Sequence, residues 1–300
     1  MDYVLGFDGG GTKTECVLMD PSGKIVARSR TGPSNPVRVG VACAAREIQA
    51  AATLALRDAG VNVTEVAAIG AGLAGTGQPD MKEKMRSALQ QAFPAVVVSI
   101  FTDLETSLAA AGAGLVIVLL VGTGSAAIGR DSRGKIWRAG GYGTGFSDEG
   151  SAFDIGRRAV ARAMKERDRK GSDSSLGKEI LEQLAFQSWA ELQRRSNLAP
   201  DEVFPKIFPI VAAAADAGDS DAREILSQAA TDLSSLVVTV ANHQGSRDSG
   251  LLVAKTGGAV GRSAFFDAEV DAGLKRALPQ ARIGGLQMTP AEAAARAARH

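Results

Sequence analysis

Asp8 closes a short apolar stretch, Leu5-Gly6-Phe7, and is succeeded at once by Gly9-Gly10-Gly11-Thr12-Lys13-Thr14. Successive glycines let backbone N–H groups approach an anion that any side chain would hold off, which is phosphate-cradle chemistry. The stretch fits neither the G-x-x-x-x-G-K-[ST] loop nor the G-x-G-x-x-G turn. The next residues, Glu15-Cys16-Val17-Leu18-Met19, alternate and favour a strand, so the loop closes a hairpin and does not open a helix. An ordinary glycine-rich hairpin would look the same, and Asp8 is the residue that argues for a ligand. A carboxylate at the end of a buried strand is costly unless it meets a cation or hydrogen bonds. Magnesium held through water beside phosphates supplies such a cation.

Asp103 poses the same question. It ends the apolar stretch Val96–Phe101-Thr102 and starts a helical one, Leu104–Ala111. It is either the N-cap of that helix or a general base at the carboxyl end of a strand, where ligands sit in open α/β sheets.

A second glycine loop repeats the first. Leu115–Val121 runs into Gly122-Thr123-Gly124-Ser125, then into Asp131-Ser132-Arg133-Gly134-Lys135-Ile136, which parallels Asp20-Pro21-Ser22-Gly23-Lys24-Ile25. The pairs Gly11/Gly122, Thr12/Thr123, Asp20/Asp131, Gly23/Gly134 and Lys24/Lys135 fall at one constant offset without a gap. The chain therefore contains two copies of a β-loop-β-turn-β unit, and two facing copies would clamp a polyphosphate. At this offset Leu119 stands where Asp8 does, so only the first copy keeps the acid.

Three further stretches carry candidate contacts. Pro33-Ser34-Asn35-Pro36 stiffens a loop that presents the Asn35 amide, or that holds a turn asparagine. Gly140-Gly141-Tyr142-Gly143, with Ser147-Asp148-Glu149-Gly150-Ser151 just downstream, offers an aromatic ring and carboxylates suited to a sugar; Asp148 and Ser151 could equally cap the next helix. Thr256-Gly257-Gly258-Ala259-Val260-Gly261 is a glycine turn against which a flat base could lie, or a plain strand-to-helix turn.

The elements that must position these residues read as strands Val4–Asp8, Thr14–Asp20, Lys24–Ser29, Val66–Leu73 and Val96–Phe101, with helices Val41–Asp58 and Asp80–Phe93 between them. After the second hairpin, helices are expected over Ala152–Arg169, Leu176–Arg195, Glu202–Ala217 and from Asp219 to about His243, with a polar turn over Gln244–Ser249. The strand Leu251–Ala254, a helix to about Arg276, the strand Ala281–Leu286 and an Ala-rich helix Pro290–Arg299 complete the chain. The 300 residues suggest two domains, and 45% hydrophobic content suffices for both cores. A net charge of +1 makes no electrostatic case for nucleic acid or an anionic membrane. The longest apolar run, Leu115–Val121, is far short of the roughly 20 residues of a membrane helix. The start, Met1-Asp2-Tyr3, lacks the basic region of a secretory signal. Two cysteines, Cys16 and Cys43, and two histidines, His243 and His300, make neither a disulfide framework nor a metal knuckle, so a cytoplasmic location is expected.

Taken in order, Asp8–Thr14, Thr102-Asp103, Gly122–Ser125, Gly140–Gly143 with Ser147–Ser151, and Thr256–Gly261 resemble the N-acetylglucosamine kinase family, within the benzoyl-CoA-reductase-activase type of ATPases and the actin and sugar kinase superfamily. The resemblance spans the chain. It implies an α/β fold of two ribonuclease-H-like (actin-like ATPase) domains around a cleft, residues 1–112 and 113–289, with the helix at 290–300 packing on the first. It implies ATP and magnesium as cofactors, an amino sugar as acceptor and, as is common for such kinases, a homodimer. By the same resemblance Asp8 serves the metal, Asp103 is the base, and Gly10, Gly11, Thr12 and Lys13 form the first phosphate loop. Gly122, Thr123, Gly124 and Ser125 form the second, and Gly257, Gly258 and Ala259 meet the adenosine. Asn35, Gly75, Asp103, Thr123, Gly141, Tyr142, Asp148 and Ala152 line the sugar. Tyr142 replaces a tryptophan and Ala74 a serine of better-known members, both on the sugar side. The alternatives are a kinase for glucosamine, N-acetylmuramic acid or another hexose, and an activator ATPase of a partner protein. Against the activator, neither cysteine lies in an iron–sulfur cluster motif.

Overall fold

The computed structural model describes residues 2–245 and 250–299. The chain divides into two compact units, residues 1–113 with 286–300, and residues 114–285.

The first unit is built on β1 (Tyr3–Gly9), β2 (Thr14–Met19), β3 (Ile25–Thr31), β4 (Val66–Leu73) and β5 (Val97–Thr102), in sheet order β3-β2-β1-β4-β5. The first three form an antiparallel meander, and β4 and β5 extend it in parallel from β1. Alternation along β1 serves two cores. Leu5 and Phe7 pack with Ile48, Ala52 and Leu56 of the helix Val41–Ala59, while Val4 joins Val17, Met19, Ala68, Ala291 and Ala295 on the opposite face. Gly60, in the left-handed conformation at φ 66°, ends the helix Val41–Ala59, as its position just past the periodic run implies. The terminal helix Pro290–Ala298 lies over β1 and β4 because Gly6 and Gly70, partners in register, leave the sheet bare beneath it. A Cβ on Gly6 would stand 2.1 Å from the Ala291 carbonyl oxygen, and one on Gly70 2.0 Å from that of Ala294.

The second unit repeats the plan. β6 (Val116–Val121), β7 (Ser125–Arg130) and β8 (Ile136–Gly140) form the meander, and β9 (Leu252–Thr256) and β10 (Arg282–Gly284) the parallel extension, in order β10-β9-β6-β7-β8. Ile117, Leu119 and Val121 are buried beneath a helical layer that includes Ala152–Lys170, Pro200–Asp216 and Ser220–Gln244. Both β-loop-β-turn-β units expected from the repeat are present, each within a five-stranded sheet, as the resemblance to two ribonuclease-H-like domains implies. The shared turn is reproduced atom for atom. Asp20 Oδ1 accepts from the N–H groups of Ser22 and Lys24, and Asp131 Oδ1 from those of Arg133 and Lys135. Gly23 and Gly134 take the positive φ the turn requires, 90° and 81°.

Two sequence expectations need correction. The counterpart of Asp8 is Leu120 and not Leu119: Asp8 pairs with Glu15 and Leu120 with Ala126, because the second loop is one residue shorter between its strands. Both counterparts are half-buried at the same point of their strands, whereas Leu119 is wholly buried. The helix expected over 176–195 is two, Ser175–Gln183 and Trp189–Leu198. Ser188 caps the second while Glu191 accepts from the Gln187 N–H, a serine-to-glutamate capping signal legible in the sequence. Of the two readings of Asn35 the structure takes the turn asparagine: it caps a single helical turn, Pro36–Val39, its Oδ1 accepting from the Val37 N–H. His243 lies within the helix Ser220–Gln244, its ring stacked on Trp137 at 4.9 Å, and Gly245 caps that helix. Of the polar turn expected over 244–249, residues 246–249 lie outside the described residues.

Candidate active site

In the first unit the candidate residues gather at the carboxyl ends of β1, β4 and β5. β1 delivers Asp8 into the glycine loop, where the Gly10 N–H donates to the Lys13 carbonyl at 2.9 Å. The Asn35 turn is tied to that loop, since the Ser34 and Asn35 N–H groups both donate to the Gly10 carbonyl at 3.1 Å. Beneath it the buried Thr14 hydroxyl makes 2.7 Å bonds to Gly32 O and Ser34 Oγ, a support that sequence reasoning missed. β4 ends in a turn that brings Gly75 (φ 87°) against Asn35, where a Cβ would stand 2.4 Å from the asparagine Oδ1. Two residues expected on the sugar side are therefore neighbours. The buried Thr76 hydroxyl bonds Leu73 O at 2.7 Å and Phe101 O at 3.1 Å, locking the ends of β4 and β5 together.

Asp103 is not the N-cap. Thr102 is, with its Oγ1 accepting from the Glu105 N–H at 3.1 Å while the Glu105 carboxylate accepts from the Thr102 N–H at 2.7 Å. Asp103 stands at the first helical position, where one of its oxygens accepts from the Leu104 N–H at 3.0 Å. The helix terminus favours its negative charge.

The Asp8 carboxyl is pushed up to about 7, first by burial, then by the charges of Asp103 and Glu15, with Lys13 opposing. Lys13 is ion-paired with Glu15. A carboxyl that binds its proton more tightly folded than unfolded makes folding less favourable as pH rises between its two pKa values, by up to about 1.4 kcal/mol per pH unit. Without metal or nucleotide, the melting temperature is expected to fall between about pH 4 and 7, and Asp8→Asn to flatten that fall. Identical melting profiles for the parent chain and the variant would refute the assignment.

In the second unit Asp148 does not cap the next helix. Ser151 does, its Oγ accepting from the Asp154 N–H at 3.2 Å. Asp148, 5% exposed and at φ 68°, reaches back to the second loop, and its Oδ1 accepts from the Ser125 N–H at 3.1 Å. Burial raises its pKa. The Ala152 N–H donates to the Gly122 carbonyl at 2.9 Å and the Phe153 N–H to that of Thr123 at 3.3 Å, so the start of this helix is fastened to the loop. Tyr142 stands apart, 61% exposed, with the Arg138 guanidinium over its ring at 4.7 Å. Arg138 also donates to the carbonyl of Gly141, which has φ 73°.

The turn after β9 folds onto the same loop. Gly257 is required there twice, by φ 110° and by the Val121 carbonyl, 2.3 Å from where a Cβ would be. The Ala259 N–H donates to that carbonyl at 3.0 Å. Gly122 and Gly258 are different. Neither needs positive φ, and a Cβ on either would meet no atom closer than 3.9 Å. Packing does not demand glycine at these two positions, and bare backbone beside them suits the close approach of a phosphate or a base. The residues present thus fit a nucleotide. The partly buried Asp8, crowded by Asp103 and Glu15, fits a hydrated cation held mainly by phosphates. Among the described residues no group of three His, Cys, Asp or Glu could hold a metal unaided, and no helix is long and apolar enough to cross a membrane.

Known proteins resemble this chain along most of its length. The chain is 28% identical over 290 residues to an N-acetylmuramic acid/N-acetylglucosamine kinase of Clostridium acetobutylicum, covering 94% of each chain. It is 26% identical over 311 residues to an N-acetyl-D-glucosamine kinase of Dictyostelium discoideum, covering 98% of this chain and 97% of the other. Among solved structures, a Chromobacterium violaceum protein provisionally called an N-acetylglucosamine kinase superposes with a TM-score of 0.83 at 26% identity, covering 98% of both chains. Residues 5–285, which hold both glycine loops and both acids, match the BadF/BadG/BcrA/BcrD ATPase family, and the chain belongs to it.

Proposed function

We propose that this chain is an ATP-dependent kinase that transfers the γ-phosphoryl group to the 6-hydroxyl of an amino sugar, N-acetylglucosamine before others. The observation that carries the reading is the pair of acids at the ends of β1 and β5, with the cap between β5 and its helix supplied by Thr102 and not by Asp103. Kinases of N-acetylglucosamine and N-acetylmuramic acid among the relatives support the acceptor class.

Magnesium-bound ATP supplies the phosphoryl group and, through the metal, part of the charge neutralisation. Asp103 accepts the proton of the sugar hydroxyl as it attacks. Asp8 would hold the magnesium. In the two loops Gly11, Thr12, Lys13, Thr123 and Gly124 offer backbone N–H groups to phosphates, those of Gly10, Gly122 and Ser125 being bonded to Lys13 O, Gly124 O and Asp148 Oδ1, and Gly257 to Ala259 offer a flat surface to the base. Asn35 with Gly75, and Asp148 with Thr123, Gly141, Tyr142 and Ala152, orient the sugar. Catalysis in this scheme is mainly positioning and charge stabilisation. The reading includes a cytoplasmic homodimer, to be checked by fractionation and light scattering; the two unpaired cysteines are compatible with a reducing compartment.

Coupled ADP release with magnesium-ATP, measured against N-acetylglucosamine, N-acetylmuramic acid, glucosamine, N-acetylmannosamine and glucose, tests the proposal. Turnover on an N-acetylated amino sugar well above a sugar-free blank is expected. ADP release equal to the blank for every sugar would sink it.

A further inference from the structure

We infer that Arg158 is a positioning residue for the sugar: through Asp154 it fixes the turn that holds Asp148 in place. The inference deepens the kinase reading and rests on it. Asp148 stands at φ 68°, a conformation that residues with a side chain rarely adopt and that persists only where the surroundings impose it. Gly150, two residues on, is also left-handed, at φ 73°. Packing ahead of this turn imposes little. Phe146 is exposed, and an open pocket of about 350 Å³ lies between residues 144–147 and the start of the helix Ala152–Lys170.

Polar bonds hold the turn instead, from two sides. On one side Ser125 of the second glycine loop, itself buried, spends its N–H on Asp148 Oδ1 and its hydroxyl on the Glu149 carbonyl at 2.7 Å. On the other, the Gly150 N–H donates to Asp154 Oδ2 at 2.9 Å. Gly150 is seated there on the helix Ser220–Gln244, where a Cβ would stand 2.6 Å from the Ala229 carbonyl oxygen. Asp154 is buried, and a buried carboxylate keeps its charge only beside a counter-charge. Arg158 supplies it at the oxygen that matters. Its Nη2 lies 2.7 Å from Asp154 Oδ2, which takes the Gly150 N–H, and 2.7 Å from Asp232 Oδ2 on the helix Ser220–Gln244. One guanidinium thus ties the turn to the helix on which Gly150 rests. Arg157 is placed differently: more than half exposed, it meets Asp154 Oδ1 at 2.8 Å, the oxygen that Gly150 does not use. Nor does Arg158 act on Asp148 through its field, since the charges felt there are those of Glu149 and Arg138. Its influence on the sugar is carried by the backbone.

The test joins steady-state kinetics on the best amino sugar of the panel to hydrogen–deuterium exchange of the full chain, in Arg158→Met, Arg158→Lys and Arg157→Met. Arg158→Met leaves Asp154 partnered by Arg157, so the chain should fold, as circular dichroism would confirm. Its KM for the sugar is expected to rise about tenfold or more, within the scale on which misplacing a substrate-orienting group acts. Exchange over residues 143–151 should accelerate, as it does where a local restraint is lost. The KM for ATP should stay within about twofold, because the Ala152 and Phe153 N–H groups still fasten the phosphate loop. Arg158→Lys should recover part of the sugar KM, and Arg157→Met should leave it near the parent value. If Arg158→Met does not fold, Asp232→Asn, which loosens the far end of the same brace, carries the comparison. An unchanged sugar KM would overturn the inference, as would equal rises in KM for sugar and ATP, the mark of a unit loosened throughout. A parent chain that phosphorylates no sugar of the panel removes the kinase reading and with it the sugar role of Arg158, while exchange still reads whether Arg158 holds the turn; a fully active Arg158→Met with a normal sugar KM removes the Arg158 assignment alone.

Discussion

Asp103→Asn is expected to fold as the parent chain does and to lose about 10²-fold to 10⁴-fold in turnover, the range for removing a general base. The substitution keeps the shape of the side chain and its ability to accept from the Leu104 N–H. It leaves the Thr102–Glu105 capping box intact, so the helix Asp103–Ala110 has no structural reason to shift. Loss should therefore fall on kcat with little change in the KM for ATP, the pattern of a group that acts in the transition state. The measurement is steady-state kinetics on the best sugar from the panel, with circular dichroism to confirm the fold. Turnover within about threefold of the parent chain would remove Asp103 from the role, being far below the contribution of a general base.

The largest effect on stability is expected at a glycine remote from the chemistry. Gly6→Val places two methyl groups where the Ala291 carbonyl and the Ala295 backbone already stand, 2.1 and 2.7 Å from the first added carbon. Neither backbone atom can rotate away, so the helix Pro290–Ala298 must lift from β1 and β4, uncovering Val4, Val17 and Met19. The cost should reach about 3 kcal/mol, the upper end of ordinary overpacking. Urea unfolding would show the shift, and protease cleavage near residues 286–289 should accelerate. Gly77→Ala is the control: a Cβ there meets nothing within 4 Å, and such surface changes stay within about 0.5 kcal/mol. A Gly6→Val midpoint matching the control would mean that the helix seat is not rigid.

Much of the site was legible in the chain because its signals are local. A loop of successive glycines after Asp8, and the Asp-x-x-Gly-Lys turn that recurs at Asp20 and Asp131, each depend on hydrogen bonds between residues at most four apart. Strand-forming runs that end in glycine were equally plain, and the bounds Val66–Leu73 hold to the residue. Helix ends were set within a residue or two by Gly60 and Ser151. These features by themselves determined two α/β halves of one plan, with an acid kept in only the first.

Tertiary structure decided the rest. Which residue of the second copy stands at the place of Asp8 depended on strand register, and a loop shorter by one residue moved it from Leu119 to Leu120 while the downstream offset stayed constant. Whether Asp103 or Thr102 caps a helix is a competition between neighbours of equal aptitude, settled by the reach of Glu105 back to the Thr102 N–H. Asp148 was bound to a strand 23 residues earlier, and Arg38 was laid on Gly11 from the far side of a hairpin. The pairing of Gly6 with Gly70 made a seat for a helix nearly the whole chain away. Contacts of this kind arise from burial and close packing between segments distant in sequence, which bring together groups that no local spacing relates.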